Sequence, residues 1–436
     1  MIDLTGHWAG FLSIAIFVLA YILVIFEEST QMRKSKPVLM AAGLIWGLIG
    51  IAYALAGHPE EAHRAVADVT EEYGELFLFL LVAITYVNTM EERRVFDVLR
   101  SKLVLLGLSY RQLFWLTGVL AFFLSGLLDN LTTSLVMGAV LLAVGAQSPR
   151  FIAIGCVSIV VAANAGGAFT PFGDITTLMV WQKGKLGFFQ FFDLLIPAIL
   201  NWAVPALMMQ FAIPKAHPTP ATETVSAKPG AAGVVLLFAA TIVTAVSFKN
   251  FLLLPPAIGM MTGLGYLQIW SYVLQRRGRR YDDDDMVLDS FAQIARVEWD
   301  TLLFFFGIIF AVGGLGELGY LTLSSKVLYT GLGPTAANTI VGLLSSIVDN
   351  IPLMFAVLTM DPSMSHGQWL LITLTCGVGG SILSIGSAAG VALMGQAHGR
   401  YTFMSHLKWS WAIAIGYAVS ILAHLILNAP LFDNPI

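Results

Sequence analysis

Apolar stretches long enough to cross a bilayer follow one another along almost the whole chain, and nothing else in the sequence constrains the fold so strongly. They run at about 10–26, 38–56, 75–90, 112–147, 151–182, 193–213, 231–254, 256–275, 300–318, 335–360, 367–396 and 409–428. About 20 apolar residues in a helix span the hydrocarbon layer with every backbone group bonded internally. The 436-residue chain therefore has room for roughly ten spans. Composition agrees: 57% of residues are apolar and only 11% charged, whereas soluble domains carry about 25% charged residues. A surface this apolar is not held in water, which excludes a soluble enzyme. The net charge of −4, with no sustained basic stripe, excludes nucleic-acid binding, and the apolar content excludes disorder. The class expected is an all-α polytopic membrane protein embedded in a lipid bilayer. Cys156 and Cys376 lie inside apolar runs outside any CxxC pair and read as inert core residues. Residues 1–9 lack a basic n-region and 10–26 lacks a small-residue cleavage site, so the first run reads as a span rather than a signal peptide.

Two stretches carry a polar knot between apolar arms. These are Asp129-Asn130-Leu131-Thr132-Thr133 and Asp349-Asn350-Ile351-Pro352. Each pair of arms reads as two full spans or as a re-entrant hairpin with its tip at mid-membrane, and the short arms of the second favour the hairpin. Basic residues collect in cytoplasmic loops. With each hairpin returning to its own side, 18 of the 23 Lys and Arg residues share one face, among them Arg33, Arg93, Arg94, Arg100 and Arg276 to Arg280. That face is expected to be cytoplasmic and both termini outside; full-span hairpins give the same parity.

The polar segment 214–230 reads as a linker, and the sequence repeats on either side of it. Asp129-Asn130 answers Asp349-Asn350 at a spacing of 220. Gly166-Gly167 with Gly173-Asp174 answers Gly379-Gly380 with Gly386-Ser387 at a spacing of 213. The charge map has the two copies entering from opposite sides, so the expected architecture is two inverted-topology repeats with re-entrant hairpins and broken helices. The divisions are 1–70 (N-terminal spans), 71–213 (first repeat), 214–230 (linker), 231–297 (connecting spans and a cytoplasmic loop), 298–428 (second repeat) and 429–436 (tail). Asp282 to Asp285, beside Arg276 to Arg280, reads as part of that solvated loop.

From Asn164 to Asp174 an apolar stretch is interrupted by four residues that a helix does not run through smoothly, Gly166, Gly167, Pro171 and Gly173. Unwound backbone at membrane depth occurs where it is buried in protein or lines a watery cavity, which marks a site. A helix-packing face of small residues needs neither Pro171 nor Asp174. The partner break, Gly377 to Gly390, supplies Ser381, Ser384 and Ser387. Asp129, Asp174 and Asp349 lie mid-stretch, where a charge costs at least about 2.5–3.5 kcal/mol, and no Lys or Arg lies mid-span to pair with them. With Asn130, Asn350, Thr132, Thr133, Thr176, Thr177, Ser384 and Ser387 they form an oxygen-only set, the kind that hard cations choose. A permanently protonated Asp bonded to another helix is the other reading for any one of the three. Burial disfavours the charged form of a carboxylate, so protons and Na+ compete for such oxygens, and competition at one site is an exchange mechanism. Ser125 and Ser345 stand four residues before Asp129 and five before Asn350 on the same arms. Glu75 and Asp300 begin equivalent spans and read as interfacial acids or as further carboxylates. His398, His406 and His424 lack metal-ligand spacing and read as interfacial or packing residues, with pH sensing as the alternative. No GxxxxGK[ST], HExxH or Gly-x-Gly-Asp signature occurs, so neither an enzyme nor an ATP-driven pump is expected, and no cofactor.

Taken together, the hairpin tip Ser125 to Thr133, the break Asn164 to Thr177, and Ser345 to Pro352 resemble the NhaD-type Na+/H+ antiporters. These belong to the ion transporter superfamily, which includes arsenite exporters and sodium-dicarboxylate symporters. The resemblance covers about residues 70–425. It implies export of Na+, and often Li+, against protons from the bacterial cytoplasmic membrane, by a homodimer with an elevator-like transport domain. It also implies a sensitive set comprising Ser125, Asp129, Asn130, Asn164, Asp174, Thr176, Thr177, Ser345, Asp349, Asn350, Ser384 and Ser387, with Glu75 and Asp300 as further carboxylates. Na+ would be held by Asp129, Asn130, Asp349, Asn350 and Asp174. Where the symporters carry Ser-Asn-Thr at the hairpin tips this chain has Asp-Asn, which argues against a dicarboxylate. The competing functions are an anion exporter or symporter of the same superfamily, carrying arsenite or a dicarboxylate with the Asp residues protonated, and a passive cation channel.

Overall fold

The computed structural model describes residues 3–218, 225–281 and 284–433. The expected linker 214–230 and tail 429–436 fall partly outside these residues, as do Asp282 and Asp283 of the expected loop. Among the described residues the secondary structure is helical with no strand, and eight helices are long and apolar enough to cross a membrane.

The chain divides into two compact units, each drawing segments from both sides of residues 214–230. The first comprises residues up to Arg93, Lys228–Val327 and Phe355–Asp361. In its core, Ala42, Ile45, Ile49 and Tyr53 of helix Ser35–Leu55 pack with Phe310, Ala311 and Leu315 of helix Trp299–Glu317. Helix Pro59–Glu92 is 34 residues long, starting 16 residues before the apolar run at 75–90. Pro59 at the first turn and the acidic Glu60 and Glu61 favour helix initiation there, and no proline follows; Gly74 alone costs only about 1 kcal/mol, so the polar segment continues into the span. At its far end Arg93 is fully buried. Its guanidinium donates to Glu92, to the carbonyls of Pro229 (3.2 Å) and Asp285 (2.8 Å) and to that of Val287 (2.5 Å). Lys228 pairs with the same Glu92 at 3.0 Å. A buried guanidinium with each branch occupied ties two connecting segments to one helix end.

The second unit comprises Arg94–Ala227, Leu328–Met354 and the chain from Pro362 onward. The runs at 112–147 and 335–360 each resolve into two helices, Tyr110–Ser125 with Asn130–Val144, and Pro334–Leu344 with Asn350–Met360. The runs at 151–182 and 367–396 resolve likewise, into Pro149–Gly167 with Ile175–Gln182, and His366–Gly379 with Ala388–Gln396. The polar knots and the glycine-rich segments therefore interrupt the helices where the sequence places them. The same close contact recurs at each break. A Cβ on Gly166 would stand 2.0 Å from the Phe122 carbonyl oxygen, and one on Gly379 would stand 1.9 Å from that of Gly342. At each position the arm preceding a polar knot runs backbone against backbone on the helix that ends at a break, and only hydrogen fits between them.

Gly166→Ala and Gly379→Ala are therefore expected to destabilise the protein by about 1–3 kcal/mol or more through overpacking against an immovable carbonyl. Gly47→Ala, where a Cβ meets open space, should not. Melting temperatures of the three variants in detergent check this.

Candidate functional site

The cluster forms in the second unit from two knots and two breaks. Asp129 caps helix Asn130–Val144: its carboxylate accepts from the Thr132 amide (2.7 Å) and the Thr132 hydroxyl (2.7 Å). Capping fixes Asn130 at the first helical position, with its amide free to reach outward. Asp174 caps helix Ile175–Gln182 in the same way, its Oδ1 accepting from the Thr176 amide at 2.9 Å. The Thr177 hydroxyl donates to the Asp174 carbonyl at 2.6 Å and accepts from the Asp174 amide at 3.3 Å, which locks the turn reciprocally. Ser387, 213 residues further on, caps helix Ala388–Gln396 by accepting from the Gly390 amide at 3.3 Å.

These caps bring the amide side chains onto one carboxylate. Asn130 Nδ2 donates to Asp174 Oδ2 at 2.8 Å, and Asn350 Nδ2 donates to the same oxygen at 3.0 Å. Asn130 Nδ2 also donates to Asn164 Oδ1 at 3.0 Å, and Asn164 Nδ2 donates to the hydroxyls of Ser381 (2.8 Å) and Ser387 (3.0 Å). Asp174 is 4% exposed and Asn164 fully enclosed. Asp174 accepts at both oxygens, an arrangement that favours its ionised form. Hydrogen bonds to a charged group are worth about 1.5–3 kcal/mol each, so these donors offset part of the cost of burying it. The hydrogen-bonded set of Asn130, Asn164, Asp174, Asn350, Ser381 and Ser387 contains one carboxylate and no cationic side chain.

Ser125 and Ser345 hold the arms to the breaks. The Ser125 hydroxyl donates to the Ala163 carbonyl at 2.6 Å and that of Ser345 to the Cys376 carbonyl at 2.8 Å, so each takes an oxygen near the end of a broken helix. Among the described residues, the hydroxyls of Thr133, Thr176 and Ser384 are buried without a hydrogen-bond partner. Unpaired buried oxygens are rare and call for a ligand or water. Asp349 is half-buried and accepts from the Ile351 amide at 3.4 Å. Glu75 and Asp300 belong to the first unit, Glu75 half-buried on helix Pro59–Glu92 and Asp300 accepting from the Ser35 hydroxyl. Two residues that the sequence reading placed outside the site also take part. Cys376, read as inert, donates its thiol to the Asn350 carbonyl at 3.3 Å. His406 bonds the Ser381 carbonyl at 2.8 Å. The spacing of 213 pairs Cys376 with Ala163, which would have placed it beside a knot; His406, read as a packing residue, has no sequence neighbour that ties it to the site.

A family model described as CitMHS, citrate transporter, matches residues 12–377. The Na+/H+ antiporter NhaD of Halomonas elongata is 54% identical over 99% of this chain and 91% of its own length. That of Vibrio cholerae is 53% identical over 98% and 94%. Sodium/proton antiporter 1 of Arabidopsis thaliana is 32% identical over 96% of this chain and 73% of its own. The chain belongs to the NhaD antiporter family, within the wider group that the citrate-transporter model describes. It is a multi-pass membrane protein.

Because Asn130 and Asn350 act on one oxygen, their removal should not be additive. Asn130→Ala and Asn350→Ala are each expected to cost about 1–3 kcal/mol, and the double variant to depart from their sum by at least about 0.5 kcal/mol. Unfolding titrations of the four proteins in detergent read the coupling.

Proposed function

We propose that the protein is a secondary Na+/H+ antiporter that binds Na+ and protons in turn at the Asp174 cluster. The observation that carries this reading is the convergence of Asn130 and Asn350 on one oxygen of Asp174. With their Nδ2 groups committed to Asp174, the amide carbonyl oxygens remain for a cation. The unpaired hydroxyls of Thr133, Thr176 and Ser384 supply further oxygens of the kind Na+ takes. A proton arriving on Asp174 Oδ2 takes the place of an amide hydrogen, so one asparagine must withdraw or turn its carbonyl oxygen inward to accept. Either change dismantles the arrangement that Na+ needs. Occupancy by one ion thus excludes the other, and a carrier that reorients when loaded exchanges them. Asp129 and Asp349 add negative charge at the two tips. A carboxylate-centred set without a cationic side chain repels a tricarboxylate, which favours a cation over an anion as cargo.

The architecture we infer is the inverted pair of repeats. The 11-residue helices Pro334–Leu344 and Asn350–Met360 are each about 16 Å long, about half the hydrocarbon thickness, which supports a re-entrant hairpin with its tip near the midplane. The unequal distribution of Lys and Arg supports a cytoplasmic basic face with both termini outside, in a bacterial cytoplasmic membrane. Sites at the junction of inverted repeats and broken helices serve alternating access, and an elevator-like homodimer fits this reading.

In liposomes with an interior pH dye, external Na+ should drive protons out of the vesicle. No pH response, or a response to citrate or arsenite instead, overturns the reading. Asp174→Asn should abolish exchange. Asp129→Asn and Asp349→Asn should do the same while melting normally, since asparagine caps a helix as well as aspartate does and only the charge is lost. Normal exchange in both would reduce these two carboxylates to caps.

A further inference from the structure

Behind the cluster lies a histidine that neither the sequence motifs nor the proposed cycle uses. His406 is fully enclosed and engages both ring nitrogens, Nε2 at 2.8 Å from the Ser381 carbonyl oxygen and Nδ1 at 2.6 Å from the Tyr401 hydroxyl. A carbonyl only accepts, so Nε2 carries a proton and donates it. Ser381 belongs to the unwound segment after helix His366–Gly379, where carbonyls have no helical partner. Side chains take that role: His406 bonds the Ser381 carbonyl, and the Ser410 hydroxyl donates to the Ile382 carbonyl at 2.6 Å. The Ser381 hydroxyl in turn accepts from Asn164, whose Oδ1 accepts from Asn130, whose amide reaches Asp174. A continuous path leads from the imidazole through Ser381, Asn164 and Asn130 to the carboxylate.

We propose that His406 is a positioning residue of the Na+ site. By fixing the backbone of Ser381 it fixes the hydroxyl that orients Asn164. That orientation decides whether Asn164 presents its oxygen to Asn130 and leaves the Asn130 carbonyl oxygen for the cation. The inference rests on the Na+/H+ exchange reading. His424 provides an internal comparison. It is equally buried, with Nε2 2.9 Å from the Gly367 carbonyl at the opposite end of the same helix and Nδ1 2.8 Å from Asn428 Nδ2. Asn428 leads on to the Asp193 carbonyl at 2.9 Å, away from the Asp174 set. The two histidines make the same kind of backbone bond, and only one of them is joined by side chains to the cluster.

The test is Na+-driven proton movement in proteoliposomes, normalised to folded protein, with wild type, His406→Leu, His406→Gln and His424→Leu. Losing one positioning hydrogen bond should raise the half-saturating Na+ concentration about three- to tenfold in His406→Leu at unchanged maximal rate. His406→Gln, whose amide reaches the Ser381 carbonyl, should return it to within about twofold of wild type. His424→Leu should leave it unmoved even where it lowers the melting temperature. An unaltered half-saturation in His406→Leu, an equal rise in His424→Leu, or failure of glutamine to rescue overturns the inference. Where His406→Leu yields no folded carrier, Tyr401→Phe decides by the same readout, a rise supporting the assignment and no change overturning it. Absence of exchange in wild-type vesicles removes the functional reading itself, which keeps the two failures apart.

Discussion

A single oxygen, Asp174 Oδ2, receives amide hydrogens from Asn130 and Asn350, residues 220 positions apart that follow the two polar knots' aspartates. Much of the second unit is arranged to make that meeting possible. Asp129 and Asp174 must each cap a helix so that the chain changes direction where it does. Ser125 and Ser345 must hold the arms against the broken helices. Asn164 must stand between the carboxylate's partners and the serines of the second break. A buried carboxylate without such donors would be costly to keep ionised, and one surrounded by lysine or arginine would have no reason to bind a cation. Amide donors satisfy the carboxylate and still leave oxygens for an ion.

The backbone makes its own contribution. Gly166 against Phe122 and Gly379 against Gly342 allow main chains to approach more closely than any side chain permits. Each contact lies next to a helix end, where backbone groups lose their helical partners and side-chain hydroxyls take their place. Precision at the site therefore comes from short side chains, Ser, Thr and Asn, whose few rotatable bonds leave little freedom once both ends are bonded.

Much of this was legible in the sequence, because breaks in long apolar runs are conspicuous. Asp129-Asn130, Asn164 to Asp174 and Asp349-Asn350 stand out in a chain with 11% charged residues, and helices do stop at each of them. The spacing of 213 matched Asp174 with Ser387, and both proved to be helix caps. What the sequence did not convey was which carboxylate the amides choose, since that depends on where four separate segments meet. In the sequence Asp129, Asp174 and Asp349 stand on an equal footing, yet Asp174 is the one that receives Asn130 and Asn350. Helix Pro59–Glu92 began well before its apolar run because helix propensity, unlike hydropathy, does not end at a membrane surface. His406 reads from sequence as a packing residue, and its link to the site is hidden for a different reason: its partner is a backbone carbonyl, and backbone bonds leave no trace in a motif.

The central claim is that one carboxylate takes Na+ and a proton by turns. Purified protein in a weakly buffered detergent solution tests it without any membrane, by recording proton release when Na+ is added at a pH where the site is partly protonated. Wild type should release protons on Na+ addition and Asp174→Asn should release none. Equal release from both proteins would place the competition elsewhere and contradict the account.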